Sequence, residues 1–450
     1  MAGIALAWLV RRFGRTGAAA AGLALGVAIA GPSVAWHVHR LHAGEIPRLA
    51  QQHAHRAVVV ELVRDPTVVG GSSLVLVDAT ALRVSDRGWE DVDVPVLLLA
   101  HGTGWLRLLP GQRVRIDAGF APPRSGDDVA AVLMVSSPPV LIGHPGWWQR
   151  AAGRARVALE RSCASLPADP RGLLPSLVDG DTAAVPADLR ADMQVSGLSH
   201  LEAVSGENLS IVLGVVLSAA RTAGLRRRSR VMGAALAVIG FVILARPSPS
   251  VLRAAVMSGV ALLAMFAGRR TSGRSTLAVA VLILVVANPF LARSVGFALS
   301  VMATAGIIVL APRWTQRLAA RLPRPLALAV AVSAAAQLAC TPVLLLAFGQ
   351  LTPYAVPANV LAAPAVVPAT ILGVLAAVVA PLSAAVAAPL VWLAGVPTAL
   401  VARVARIAAA LPGAGAVVPR GVSVVVAIGI ATLLVRLATS PTESSQHAIL

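Results

Sequence analysis

The sequence predicts a polytopic α-helical membrane protein of about ten spans, with one small all-β, OB-like domain inserted outside the cytoplasm. Three observations lead there. Of 450 residues, 57% are apolar and only 13% charged, and the mean hydropathy is +0.79. Soluble domains carry about 25% charged residues. From residue 204 onward the apolar residues gather into runs long enough for membrane helices. Between residues 57 and 136 the runs shorten, become rich in Val and Leu, and are broken by Gly, Pro and Asp, as strands and turns are.

The formal charge is +18, and all 38 basic residues are arginine. Such a surplus on a soluble domain would point to nucleic acid. Here residues 40–150 hold eleven Arg and eleven Asp or Glu, so that stretch carries no net charge. Fifteen arginines stand in four acid-free clusters beside apolar runs. They are Arg11, Arg12 and Arg15; Arg221, Arg226, Arg227, Arg228 and Arg230; Arg269, Arg270 and Arg274; and Arg313, Arg317, Arg321 and Arg324. This is the positive-inside pattern, and the high charge is no evidence of DNA binding. With the amino terminus inside, alternation puts every cluster on the cytoplasmic side and residues 40–200 outside the cytoplasm. Cys163 and Cys340 are too few for a disulfide framework and read as packing residues.

In chain order, residues 1–39 form an Arg-bearing cytoplasmic segment and the first span, whose apolar run is 17–36. Ser33-Val34-Ala35 resembles a signal-peptide cleavage site, but an uncleaved anchor suits a chain that returns to the membrane. Residues 40–146 form the β domain, with strands expected at 57–64, 72–84, 94–100, 104–110, 112–118 and 131–135. Residues 147–200 are an amphipathic interfacial helix and a connector, Trp147 and Trp148 leading into Arg150, Arg154, Arg156 and Arg161. Residues 201–437 are the polytopic domain. Its spans are placed near 204–220, 231–245, 251–267, 275–291, 296–311, 326–348, 356–379, 384–401 and 420–436. Arg403 and Arg406 fall on an outer interfacial helix, and residues 438–450 are a polar tail.

Three features carry chemistry. Between Glu207 and Glu443 there is not one Asp or Glu. Ion-coupled transporters and cation pores need intramembrane carboxylates, whereas a path without negative charge suits an anionic substrate. Pro342, Pro353, Pro357, Pro364 and Pro368 fall within 27 apolar residues. They predict either a broken helix lining a path or simple kinking between packed helices. Finally, 194–210, QVSGLSHLEAVSGENLS, is dense in polar groups where a span begins. His200 and Glu207 are seven apart and share a face of a continuous helix, and Gly206 can interrupt it.

Two other patterns are weak. HVHRLH, with His37, His39 and His42, resembles the HxHxDH motif of metallo-β-lactamases, but Leu41 stands in place of the Asp and the run follows a span. Ser205 with His200 as base lacks the G-x-S-x-G elbow. No metal site, cofactor or enzyme activity is therefore expected.

SGLSHLEAVSGENLSIVLGVV (196–216) resembles the signature of the ComEC competence proteins, whose usual form is a GLSHLLAISGLHV-like run. Further likenesses follow in family order: LPSLVDGDTAAVP (174–186), PSPSVLRAAVMSGVALLA (247–264) and NPFLARSVGFALSVMATAGIIVLAP (288–312). LLPGQRVRIDAGFAPP (108–123) resembles the exported OB-like domain of the same proteins. The chain departs from the pattern at Glu202, where the second Leu of SHLL stands, and at Gly206-Glu207-Asn208-Leu209, where GLHV stands. Both glutamates are unusual opposite a polyanion.

The resemblance implies a multi-pass cytoplasmic-membrane channel that admits one strand of transforming DNA. Its entrance would be lined by His200, Ser205, Gly206, Glu207, Asn208 and Arg253, with Trp89 and Trp105 as candidate stacking platforms in the β domain. Full-length relatives carry a metallo-β-lactamase-like domain beyond the membrane part, so nuclease activity would come from another polypeptide. A cytoplasmic ATP-driven motor and self-association are further expected partnerships. The alternatives are a small-anion or lipid-handling permease and an intramembrane serine hydrolase using Ser205 and His200.

Overall fold

The computed structural model describes residues 30–68, 73–86, 88–124, 127–202, 204–246, 248–268 and 272–439. Arg11, Arg12, Arg15, Arg269, Arg270, most of the predicted first span and the tail beyond residue 439 lie outside the described residues. The chain divides into two compact units. One runs to Gly153 and includes Leu282–Leu291; the other holds Arg154–Val281 and the residues from Ala292 onward.

In the first unit a helical segment, α1 (30–42), and α2 (Glu45–Gln51) lead into a barrel. Its strands are β1 (His55–Leu62), β2 (Leu74–Ser85), β3 (Trp89–His101), β4 (Arg113–Ala121) and β5 (Ala131–Val135). Alternation along β1 and β4 turns Val58, Val60, Leu62, Val114, Ile116 and Phe120 inward. β1 pairs antiparallel with both β2 and β4, β3 pairs antiparallel with β2 and parallel with β5, and β5 closes onto β4. That closed five-stranded order is the OB-type barrel expected. Its charges pair on the outer face: Arg40–Asp93, Arg48 and Arg56 with Asp86, Arg64–Asp78, Arg83–Asp91 and Arg113–Glu61. One expected strand is corrected. The 104–110 segment holds a 3₁₀ turn, Trp105–Arg107, whose fully buried Trp105 joins the barrel core. The apolar area of one indole outweighs what a further exposed edge strand would gain.

The second unit is helical. It contains most of α3 (Trp147–Cys163), then α4 (Ala168–Asp179), α5 (Ala187–Ser196), a 3₁₀ turn at Ser199–Leu201, and α6 (Gly206–Thr222). There follow α7 (Arg227–Ala245), α8 (Pro249–Phe266), α9 (Gly273–Ala287, its end in the first unit), α10 (Val295–Leu318) and α11 (Arg324–Phe348). The last are α12 (Ala355–Val379), α13 (Ala384–Ala409) and α14 (Arg420–Thr439). Each segment placed from residue 204 onward coincides with one of these helices. Five of them, α7, α10, α11, α12 and α13, are long and apolar enough to cross a membrane. Large apolar side chains such as Leu361, Leu375, Val378, Trp392 and Val396 stand exposed on α12 and α13, as lipid-facing side chains do.

Three details depart from the sequence-based expectation. First, α4 is a core helix rather than a plain connector. Leu173, Leu174, Leu177 and Val178 are fully buried against α12 and α13. A Cβ at Gly373 would lie 2.4 Å from Val178 Cγ2, so this glycine lets α12 meet α4. Second, α12 runs unbroken through Pro364 and Pro368; tight packing over-determines its path despite two missing donors. Third, Arg403 and Arg406 belong to α13 itself rather than to a separate interfacial helix. α13 continues because Arg406 is neutralised by Asp169 and Asp188 at 2.8 and 2.9 Å and by Asp192 at 3.3 Å. Cys163 packs in the core, where burial pushes its thiol up to about 12 and keeps it neutral.

Candidate functional site

Gly197, in the left-handed conformation at φ 77°, ends α5 and turns the chain toward α6. A Cβ there would lie 2.5 Å from Ala355 Cβ, so only glycine allows this approach to the start of α12. His200 follows on the 3₁₀ turn. It keeps an open surface, and its Nδ1–H donates to the Gly197 carbonyl at 3.2 Å. Protein crowds the ring enough that desolvation holds its pKa below the usual imidazole value, and the Gly197 bond offsets only part of this.

Glu202 is 9% exposed and its Oε1 has no partner. Burial pushes its carboxyl up, and the nearby Arg190 pulls in the other direction. The carboxyl is tucked inside the protein and does not face the open surface. Ser205 caps α6: its Oγ accepts from the amides of Glu207 and Asn208 at 3.2 and 3.4 Å. Neither Ser205 nor His200 has a hydrogen bond to the other, so the nucleophile–base pair of a serine hydrolase is not assembled. Asn208 is fully buried, and its Nδ2 donates to the Leu177 carbonyl at 2.8 Å, tying α6 to α4. Its side chain is held between these two helices. Glu207 stands exposed in the first turn.

Arg253 reaches from α8 and is 6% exposed. Its Nη1 donates to Thr304 Oγ1 at 2.7 Å and its Nη2 to Ser300 Oγ, both on α10, while its Nε has no partner. Its hydrogen-bond partners are neutral, and it forms no ion pair among the described residues.

Below this polar start, α6 and α12 enclose an open groove of about 490 Å³. Ser210, Gly214, Ser218 and Thr222 recur every fourth residue along one face of α6, opposite Val367 and Ile371 of the proline-bearing α12. No carboxylate lines it. The sequence carried this signal as a four-residue spacing of small and hydroxyl residues, as it carried the Ser300–Thr304 pair that receives Arg253.

In the barrel, Trp89 is 38% exposed, with the guanidinium carbons of Arg83 and Arg115 at 5.5 and 5.3 Å from its ring centre. Trp105, by contrast, is spent on the core. Among the described residues no group of three or more His, Cys, Asp or Glu side chains is placed to hold a metal ion.

The competence protein family model matches residues 177–441, from within α4 into the tail, and covers every polar residue of α6 and α8 described above. ComE operon protein 3 of Bacillus subtilis (strain 168) is 29% identical over 212 residues, which are 46% of this chain and 27% of that protein. The chain thus spans about a quarter of that relative's length. No solved structure matches it. With more than half of its length under one family model, this chain belongs to the competence protein family.

Proposed function

We propose that this chain forms the path by which one strand of transforming DNA crosses the cytoplasmic membrane during competence. The observation that carries the proposal is the groove between α6 and α12. It begins one turn below the polar start of α6, has small and hydroxyl residues every fourth position within a mostly apolar lining, and lacks any carboxylate. Phosphodiesters pass such a wall without like-charge repulsion. Family membership supports the same reading, as do the four arginine clusters, which fit a ten-span topology with residues 40–200 outside the cytoplasm. On the barrel, Trp89 between Arg83 and Arg115 offers stacking and backbone contacts to an arriving strand. A cytoplasmic ATP-driven motor completes the scheme.

The test fills the groove. Ser218→Trp places a large side chain at its lining, so transformation should fall at least about 100-fold at unchanged membrane abundance. Normal transformation with that variant removes the groove from the path. Uptake of a small anion without any dependence on DNA favours a permease instead.

A further inference from the structure

A buried arginine at the start of a membrane helix is expensive to leave without a counter-charge. Arg253 is in that state: it is 6% exposed, its hydrogen bonds go to two hydroxyls and a thioether, and its Nε has no partner. A second positive source adjoins it. The amino end of the 17-residue α6 concentrates the positive end of a helix dipole. Ser205 satisfies the Glu207 and Asn208 amides, while the Gly206 amide has no partner among the described residues. The two sources are in close range. A Cβ at Gly206 would lie 3.4 Å from Arg253 Nη2 and 3.0 Å from Ala254 Cβ, so the absence of a side chain brings helix start and guanidinium together. Glu207, next in sequence, is exposed and makes no ion pair with Arg253. Two positive sources this close repel, and an oxyanion held by both would offset that repulsion.

We propose that the Gly206 end of α6 and the Arg253 guanidinium form a site for a single phosphate-type oxyanion. The inference rests on the DNA-path reading only for its ligand in the cell, which would be one phosphodiester of the passing strand. A phospholipid headgroup and free inorganic phosphate share that chemistry. A single such station holds the strand at one phosphate at a time, firm enough to admit it and weak enough to release it.

The full chain, purified in a phosphate-free maltoside detergent, is titrated with inorganic phosphate while its thermal unfolding is followed. The same is done with an oligothymidylate carrying either a phosphodiester or an uncharged methylphosphonate backbone. Phosphate should raise the unfolding temperature of the parent chain, and Arg253→Gln should need at least about tenfold more phosphate for the same shift. The charged oligonucleotide should bind at least about tenfold better than the uncharged one, and only in the presence of Arg253. Equal phosphate response in parent and Arg253→Gln overturns the site. Should Arg253→Gln fail to accumulate, Gly206→Ala carries the test, because its methyl intrudes beside Nη2 while the guanidinium stays. Unchanged phosphate affinity there also overturns the proposal. Phospholipid retained by the parent chain and lost from Arg253→Gln supports the site and assigns its anion to lipid. Arg253-dependent phosphate binding in a chain whose deletion leaves transformation intact keeps the site and removes the DNA reading. Full transformation by an Arg253→Gln protein that no longer binds phosphate overturns the station and leaves the path standing.

Discussion

Arg406 and Arg253 lie in helices of the same unit and are solved in opposite ways. Arg406 is 37% exposed and holds three carboxylates, gripping Asp169 with two parallel bonds of 2.8 Å from Nε and Nη2. Arg253 is 6% exposed and holds none. The sequence explains the difference. No acid stands between Glu207 and Glu443, and α4 and α5 bring Asp169, Asp188 and Asp192 from upstream to the end of α13. Among the described residues no acid is brought to Arg253. One arginine is therefore locked as structure, over-supplied with counter-charge, and the other is left short of it beside a helix amino end. Charge count alone does not tell structure from site; the location of the missing charge does.

The largest effect should come from giving Arg253 what Arg406 has. Ser300→Asp puts a carboxylate where the Ser300 hydroxyl now meets Nη2. The purified variant should unfold at a higher temperature, by about 1–2 kcal/mol of added stability. Transformation should fall at least about 100-fold, because the phosphate competitor is now built in. A variant that is more stable and transforms normally would show that the unpaired arginine has no role in transport.

The converse substitution breaks the structural arginine. Arg406→Ala leaves three carboxylates facing one another, two of them about a third exposed or less. The cost should be about 2 kcal/mol, below the ~3–5 kcal/mol of a fully buried pair because solvent screens this one. Transformation should then follow membrane abundance and not fall faster. The same clamp gives a pH signature. The Arg406 guanidinium holds the Asp188 carboxyl below the usual aspartate range, with a smaller contribution from the Leu189 amide. A depressed folded pKa stabilises above the ordinary value near ~3.9 and is lost as pH falls through the folded one. Protection of the α5 amides, taken relative to their intrinsic exchange rates, should accordingly fall below about pH 4 in the parent chain, and far less so in Arg406→Ala. Protection that does not change with pH would remove the clamp from the stability of this junction.

How much of this was legible varies with the physics. The nine helices from α6 onward were plain, because a bilayer demands long apolar runs and lipid does not hide them. The barrel strands were plain where alternation was strict, but GWLRLLP alternates less cleanly and its Trp105 is drawn into the core as a turn. α4 was hidden because Pro170, Gly172, Pro175 and Gly180 punctuate it like a loop, while its burial depends on α12 and α13, hundreds of residues away. Polar density at 194–210 could not sort its members. Asn208 turns inward to Leu177, Glu202 is buried, and His200 and Glu207 stay open.

That sorting yields the next test. Asn208→Ala removes a buried donor and leaves the Leu177 carbonyl unpaired, which should cost about 1–2 kcal/mol and reduce abundance several-fold. Transformation per molecule in the membrane should be unchanged. A loss of transformation at full abundance would return Asn208 to the wall of the path, against its orientation here.

Glu207 should matter least, and for that reason it probes the whole comparison. It is exposed in the first turn of α6, where a carboxylate complements the helix dipole by about 0.3–1 kcal/mol. It makes no ion pair with Arg253, so it does not supply the counter-charge that Arg253 lacks. On the proposed DNA path, a negative charge at the head of the groove would repel each phosphodiester that approaches. Glu207→Gln keeps size and hydrogen-bonding capacity and removes only the charge. The dipole loses a few tenths of a kcal/mol at this exposed site, and transformation should stay level or rise up to about threefold as the repulsion disappears. Measured against membrane abundance, a severe loss would mean that this carboxylate takes part in the transport cycle, for instance by binding and releasing a proton. The passive, anion-tolerant path along α6 would then have to be replaced by a coupled one.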